Sequence, residues 1–154
     1  QGTFPLPEAQ MDRFAISLSL GYPSAEEELQ MLQRQGNQLE DLQASISPQD
    51  VLELQRQVLE VKVATPLQQY ILNLIRASRE DEEVRLGVSP RGSVALQRTT
   101  QALAFLDGRD YAIPDDVKFL APYVLAHRMI AAGGRKEKMI VERILRSVPV
   151  ESVS

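Results

Sequence analysis

The residue best suited to chemistry in this sequence is an arginine at the start of a predicted helix. Arg91 follows Ser89 and Pro90 in the run SPRG, in which Ser is a typical helix cap and Pro a typical first residue. Arg91 therefore falls in the first turn, where the helix dipole disfavours a cation by about 0.3–1 kcal/mol. The free N–H groups of the same turn attract anions. The combination predicts a surface that faces phosphate.

A second arginine, Arg13, ends a short helix that the sequence predicts from Pro7 to about Phe14. The run FAISLSL at 14–20 follows at once, and its period of two predicts a β-strand. A residue between such a helix and strand lies at the rim of an α/β layer. Arginine suits a phosphate there, because its planar fork binds two oxygens and keeps its charge.

Both arginines also have purely structural interpretations. Arg13 can face the C-terminal end of its own helix, or pair with Asp12 or Glu8. Arg91 can pair with the acids at 80–83, or extend into solvent as many surface arginines do. Their surroundings in the folded chain decide between these interpretations.

The elements that must position these arginines are mostly helices. From Ser24 onward the sequence predicts a bundle of about five to seven helices with a core of aliphatic side chains. Their starts are marked by SAEE at 24–27, SPQD at 47–50, TPLQ at 65–68, SPRG at 89–92 and IPDDV at 113–117. A last helix is predicted at 137–147, and Pro122 is expected to bend or split the helix before it.

These patterns divide the chain into residues 1–21, 22–148 and a frayed tail at 149–154. A single strand cannot satisfy its own backbone groups. We therefore expect residues 1–21 to be the end of an α/β core whose other strands lie upstream. The predicted fold class is all-α, a helical bundle preceded by a short loop-helix-strand remnant of that core.

The composition argues against several classes of protein and of site. There is no Cys, which excludes a disulfide frame and a thiolate metal site. The net charge of −4 argues against nucleic-acid binding, and no apolar run is long enough for a membrane span. We predict no metal site, and His127 is expected to face a helix C-terminus. The lack of Cys and of a signal-peptide pattern favours the cytoplasm.

Three stretches resemble MoxR-type AAA+ ATPases: QGTFPLPEAQMDRF at 1–14, GVSPRGSVAL at 87–96 and GRDYAIPDDVKFLAPYVLAHR at 108–128. The resemblance covers nearly the whole chain. It implies the end of an ATPase core followed by the helical lid, with GYPS at 21–24 as the junction. It also implies that Arg13 is an arginine finger acting in trans and that Arg91 is the sensor-2 arginine, with Ser89 and Pro90 beside it in the ATP-binding site.

For the full-length protein the resemblance implies an ATPase that uses ATP and Mg²⁺. It further implies a homo-oligomeric ring, expected to be hexameric, that remodels or matures client proteins in a chaperone-like way. A partner with a von Willebrand factor A domain is part of that expectation. The phosphate-binding pattern G-x-x-x-x-G-K-[ST] does not occur in these 154 residues. We therefore expect a C-terminal fragment that binds no cofactor and hydrolyses no ATP alone.

Two other functions fit the same sequence. One is a non-catalytic helical interaction or adaptor domain, and the other is a magnesium-chelatase-like motor subunit. A P-loop and an Asp-Glu motif upstream of Gln1 would favour the ATPase over the adaptor.

Overall fold

The computed structural model describes residues 6–33, 43–134 and 136–150, apart from the side chain of Glu8. The elements follow one another as α1 (Glu8–Met11), α2 (Ala25–Gln33), α3 (Pro48–Glu60), α4 (Thr65–Glu80), β1 (Val84–Leu86), α5 (Pro90–Leu106), α6 (Pro114–Leu125), a 3₁₀ turn (Ala126–Arg128), β2 (Ile130–Ala131) and α7 (Glu137–Ser147). The predicted all-α fold class is confirmed.

The core lies where α4, α5, α6 and α7 pack together. On α4 the buried face is the stripe that the sequence pattern predicts, namely Leu67, Tyr70, Ile71, Leu74 and Ile75. Leu96 of α5 and Val117 and Val124 of α6 are fully buried beside it. Each such aliphatic side chain contributes about 1.5–3 kcal/mol when it leaves water, so this four-helix contact holds the bundle together.

The predicted caps form as the sequence indicates. At the start of α3 the Ser47 N–H donates to Asp50 Oδ2 at 2.7 Å, and the Asp50 N–H donates to Ser47 Oγ at 3.2 Å. Ser24 and Glu27 make the same reciprocal pair before α2. The predicted end of that helix near Gly36 lies outside the described residues.

Two features of the fold differ from prediction around α6. The helix continues through Pro122 to Leu125, so Pro122 does not split it. A proline removes only one helical hydrogen bond, and Ala121 and Val124 are buried on either side. In addition, β1 and β2 form a small antiparallel sheet in which Val84 faces Ala131. These strands have only three and two residues, too few to show a periodicity.

Residues 14–20 do not form the predicted strand. They are exposed and belong to no helix or strand, and the one backbone–backbone hydrogen bond that ties them to the bundle in the described structure runs from Ser17 N–H to the Tyr123 carbonyl, 2.9 Å. An alternating pattern predicts two faces but supplies no neighbouring strand. The segment therefore lies against the end of α6 without a ladder.

A nearly buried ion pair fixes the turn before α6. Arg109 donates two hydrogen bonds to Asp116, at 2.9 and 2.7 Å. The Asp116 side chain is only 6% exposed, and it also accepts the Ile113 N–H at 2.9 Å. Asp116 therefore closes the loop GRDYAIPDD and caps the helix with the same carboxylate.

We predict that Asp116→Ala destabilises the protein by about 1–3 kcal/mol, because it removes a buried acceptor and leaves its donors unpaired. The matched control is Asp115→Ala. The neighbouring Asp115 side chain is 78% exposed and pairs only with Lys118, so its loss should cost no more than about 0.5 kcal/mol. Urea unfolding of the three proteins gives both values, and equal losses for the two variants would refute the role assigned to Asp116.

Candidate functional site

The structure brings Arg13 and Arg91 to one place. An open cleft of about 650 Å³ lies between the loop that follows α1 and the first turns of α5. Arg13 and Ala15 line it from the loop, and Pro90, Arg91 and Val94 line it from α5. Two arginines that are 78 positions apart in the sequence (91 − 13) thus share one surface.

Arg91 occupies the first turn of α5, as predicted. Ser89 is the N-cap, with φ −70° and ψ 165°, and its hydroxyl accepts the Arg91 N–H at 3.2 Å. The Arg91 side chain is exposed and makes no hydrogen bond or ion pair with any side chain that the structure describes. It is a cation without a fixed counter-charge.

The acidic run at 80–83 does not neutralise Arg91. Asp81 and Glu83 bind Arg143 of α7, at 2.9 and 2.8 Å, and Glu80 lies 3.8 Å from Arg76. The interpretation in which Arg91 pairs with this run is therefore wrong for this structure. The run is also more than a solvated loop, because it joins α4 and β1 to α7.

Arg13 is exposed too, and among the described side chains it has no ionic partner. Asp12, which the sequence offers as a partner, turns the other way. Its Oδ2 accepts the Ser89 hydroxyl at 2.9 Å, and its Oδ1 lies 3.4 Å from Arg128 Nε. Asp12 thereby places negative charge at the start of α5, where the dipole favours it.

Arg128 is the residue of this site that sequence reasoning missed. It closes the 3₁₀ turn after α6, and its side chain is 2% exposed. Its guanidinium donates to the carbonyls of Phe14 and Ala15 in the loop and of Val124 in α6. Hydrophobic periodicity does not predict its burial, because the sequence pattern of a buried arginine at a helix end is the same as that of an exposed one.

One signal for Arg128 was present in the sequence, in the glycine of SPRG. A Cβ atom on Gly92 would lie 2.2 Å from Val88 Cγ1 and 3.3 Å from Arg128 Cδ. Real Cβ contacts are never as short as the first distance, so only glycine fits while Val88 and Arg128 keep their places. A glycine inside the first turn of a helix indicates a close neighbour, although the sequence does not say which one.

His127 also faces the loop. Its Nε2 lies 3.0 Å from the Phe14 carbonyl and 2.8 Å from Arg128 Nη1, so the side chain contacts the loop. The Tyr123 carbonyl in the last turn of α6 also acts on the imidazole, so His127 faces the end of its own helix as well, as the sequence predicts. Burial lowers the pKa of His127, and the adjacent Arg128 charge lowers it further, although the Phe14 carbonyl acts in the opposite direction. These surroundings together disfavour the protonated form of the imidazole.

The cleft suits an anion. It offers two unpaired guanidinium groups and the first turn of a 17-residue helix. Within the described ranges no group of three or more His, Cys, Asp or Glu side chains could hold a metal ion. No helix in those ranges has the length and apolar character needed to cross a bilayer.

Comparison with known proteins agrees with this description. The family model for the AAA lid domain matches residues 76–147. The Mycobacterium tuberculosis protein named Chaperone MoxR1 is 33% identical over 100% of this chain and 45% of its own length. The chain is therefore similar to MoxR-type AAA+ ATPases, and its residues 76–147 match the AAA lid domain.

Other members of the group match over a similar extent. The uncharacterized protein YeaC of Bacillus subtilis is 44% identical over 96% of this chain and 47% of its own length. A crystal structure of a candidate ATPase from Cytophaga hutchinsonii superposes with a TM-score of 0.86 at 34% identity, covering 99% of this chain and 51% of the other. This chain thus spans about half the length of the curated proteins it matches.

We predict that His127 makes the lid less stable as the pH falls below about 6.5. The unfolded imidazole takes up a proton near its ordinary pKa of 6.5, whereas the folded one does so only at lower pH. The unfolded state therefore binds more protons, and acidification favours it. Urea unfolding at pH 7.5, 6.5 and 5.5 should show a steeper loss in the wild type than in His127→Gln. If the free energy of unfolding falls equally with pH in both proteins, the pKa of His127 is not lowered in the folded state. If the wild type instead gains stability relative to the variant at pH 5.5, that pKa is raised.

Proposed function

We propose that this chain supplies the lid half of an ATP-hydrolysing AAA+ machine, and that Arg91 and Arg13 contact the phosphates of ATP. The observation that carries the proposal is the cleft, in which both side chains are exposed and lack an ionic partner among the described residues. A folded protein gains nothing in stability from two such cations at a helix N-terminus. A ligand with several negative charges explains why they are there.

The chemistry of phosphoryl transfer requires these groups. Negative charge spreads over the γ-phosphate oxygens and the leaving oxygen in the transition state, so fixed positive groups lower the barrier. In our proposal Arg91 holds the phosphate together with the free N–H groups of α5, while Ser89 and Pro90 fix that first turn. Arg13 acts as the finger that meets the charge developing in the transition state.

The shared cleft adds a constraint to this proposal. Arg13 and Arg91 of one chain line the same surface, and we propose that both face the same bound nucleotide. If Arg13 acts in trans on a neighbouring subunit's ATP, then Arg91 of the same chain acts on that same nucleotide. Hydrolysis would then change the position of the lid in the adjacent subunit, because the presence of the γ-phosphate biases that position.

The proposal for the whole protein follows the names of its relatives. One relative is called a chaperone, which supports the remodelling or maturation of client proteins in the cytoplasm. A ring of six subunits and a partner with a von Willebrand factor A domain belong to the same proposal. Mg²⁺, when bound with ATP, neutralises phosphate charge. The described residues include no acidic cluster for it, so they contribute arginines, not metal ligands.

We predict that Arg91→Ala in the full-length protein weakens binding of an ATP analogue about tenfold or more and weakens ADP binding less. A charge-assisted hydrogen bond to a γ-phosphate is worth about 1.5–3 kcal/mol, and ADP lacks that group. Arg91→Lys should restore binding only in part, because it keeps the charge and loses the fork. Paired calorimetric titrations with the two nucleotides measure this difference, and steady-state turnover should fall in parallel.

The matched control is Arg98→Ala. Arg98 is an exposed arginine on the same helix, its Nη1 lies 3.4 Å from Gln101 Oε1, and it is not part of the cleft lining. Its removal should leave both affinities unchanged. If Arg91→Ala behaves like this control for both nucleotides and for turnover, Arg91 is an ordinary surface arginine.

A further inference from the structure

A single buried side chain connects the loop that carries Arg13 to the helix that carries Arg91. Arg128 forms part of the cleft lining, although its side chain is almost fully buried. Its Nη1 donates to Val124 in α6 and to Ala15 in the loop, and its Nη2 donates to Phe14 in the loop. Bundle and loop thus share one donor group.

The charge of Arg128 is met by a carboxylate of the same loop. Arg128 Nε and Asp12 Oδ1 form an ion pair at 3.4 Å, and both atoms are buried without a hydrogen bond in the described structure. Burial lowers the pKa of Arg128, which the charge of Asp12 opposes. Because an unpaired buried charge is costly, the guanidinium holds Asp12 in place.

The same carboxylate reaches the start of α5. Asp12 Oδ2 accepts the Ser89 hydroxyl at 2.9 Å, and the Ser89 oxygen accepts the Arg91 N–H at 3.2 Å. A continuous line of contacts therefore runs from Arg128 through Asp12 and Ser89 to the first turn that presents Arg91.

The contacts leave Arg13 itself free. Arg128 holds the residues on both sides of it, Asp12 and Phe14, so the backbone of Arg13 is fixed while its side chain extends to the cleft. The remaining contacts of the loop are few in the described residues. His127 reaches the Phe14 carbonyl at 3.0 Å, and the Ser17 N–H reaches Tyr123 at 2.9 Å.

We infer that Arg128 is a positioning residue that holds the loop bearing Arg13 against the first turn of α5, and so sets the spacing of the two cleft arginines. Lysine cannot replace it, because one ammonium group cannot reach three carbonyls and a carboxylate that lie in different directions. The absence of a side chain at Gly92 leaves room for its aliphatic stem. The functional consequence rests on the proposed role of Arg13 and Arg91 in binding ATP.

The first test is amide hydrogen exchange on the 154-residue chain, which needs no nucleotide. In Arg128→Met, which keeps the aliphatic stem, the Ser17 amide should exchange about tenfold faster or more, while the amides of α4 and α5 keep their protection. In Arg128→Lys the exchange rate of the Ser17 amide should lie between those of the wild type and Arg128→Met. The control is Arg143→Met, which removes an exposed pair with Asp81 and Glu83 and should leave Ser17 unchanged.

Unchanged exchange at Ser17 in a folded Arg128→Met protein would overturn the inference. If that variant does not fold, Asp12→Ala decides the question. It removes the carboxylate from the loop side and leaves the bundle contacts intact, so Ser17 should again exchange faster by several-fold. Wild-type exchange at Ser17 in Asp12→Ala would equally overturn it.

The second test separates positioning from general stability in the full-length protein. If Arg128 acts through Arg13, then Arg128→Met lowers turnover in the wild type but changes it less than about twofold in an Arg13→Ala background. Independent effects that multiply in the double variant would overturn the positioning role. A lack of any effect of Arg13→Ala would remove the proposed function of that residue, while the exchange experiment would still decide whether Arg128 holds the loop.

Discussion

A buried positive charge must be paired, and the site depends on how this chain meets that requirement at Arg128. An uncompensated guanidinium in the interior costs several kcal/mol, so the carboxylate of Asp12 and the carbonyls of Phe14 and Ala15 turn toward it. That turn determines the path of the loop. It directs Asp12 away from Arg13, and it keeps residues 14–20 close to the end of α6.

The first turn of α5 connects this ion pair to the cleft arginine Arg91. Ser89 caps the helix and also donates to Asp12, so the element that orients Arg91 is joined to the buried charge. Gly92 lets α5 approach Arg128 closely. Ser89 of SPRG thus caps the helix, Pro90 forms its first turn and Gly92 allows close packing, while contact with a ligand is the proposed role of Arg91. A phosphate that enters the cleft would contact two arginines that have no ionic partner among the described residues. Arg128 holds the loop and the helix that carry them.

Local physics made much of this predictable from sequence. The caps at Ser47 and Ser89 and the bounds of α7 depend on neighbours two to four residues away, so their patterns are visible in the sequence. The Asp12–Ser89 and Arg128–Ala15 contacts join residues 77 and 113 positions apart, and no local pattern encodes them. The strand expected at 14–20 failed for the same reason, since alternation predicts faces and pairing needs a partner. The roles of Arg13 and Arg91 remain predictions, now supported by their common cleft.

The central proposal is that Arg13 acts in trans and that Arg91 of the same chain acts on the same nucleotide of the neighbouring subunit. Mixing experiments on the full-length protein test it most directly. Arg13→Ala subunits and Arg91→Ala subunits are each combined with subunits that cannot bind ATP, under conditions where subunits exchange. We expect ATP turnover to recover in both mixtures, because each defective subunit supplies what the other lacks. Recovery with Arg13→Ala alone, or with neither variant, would contradict the claim.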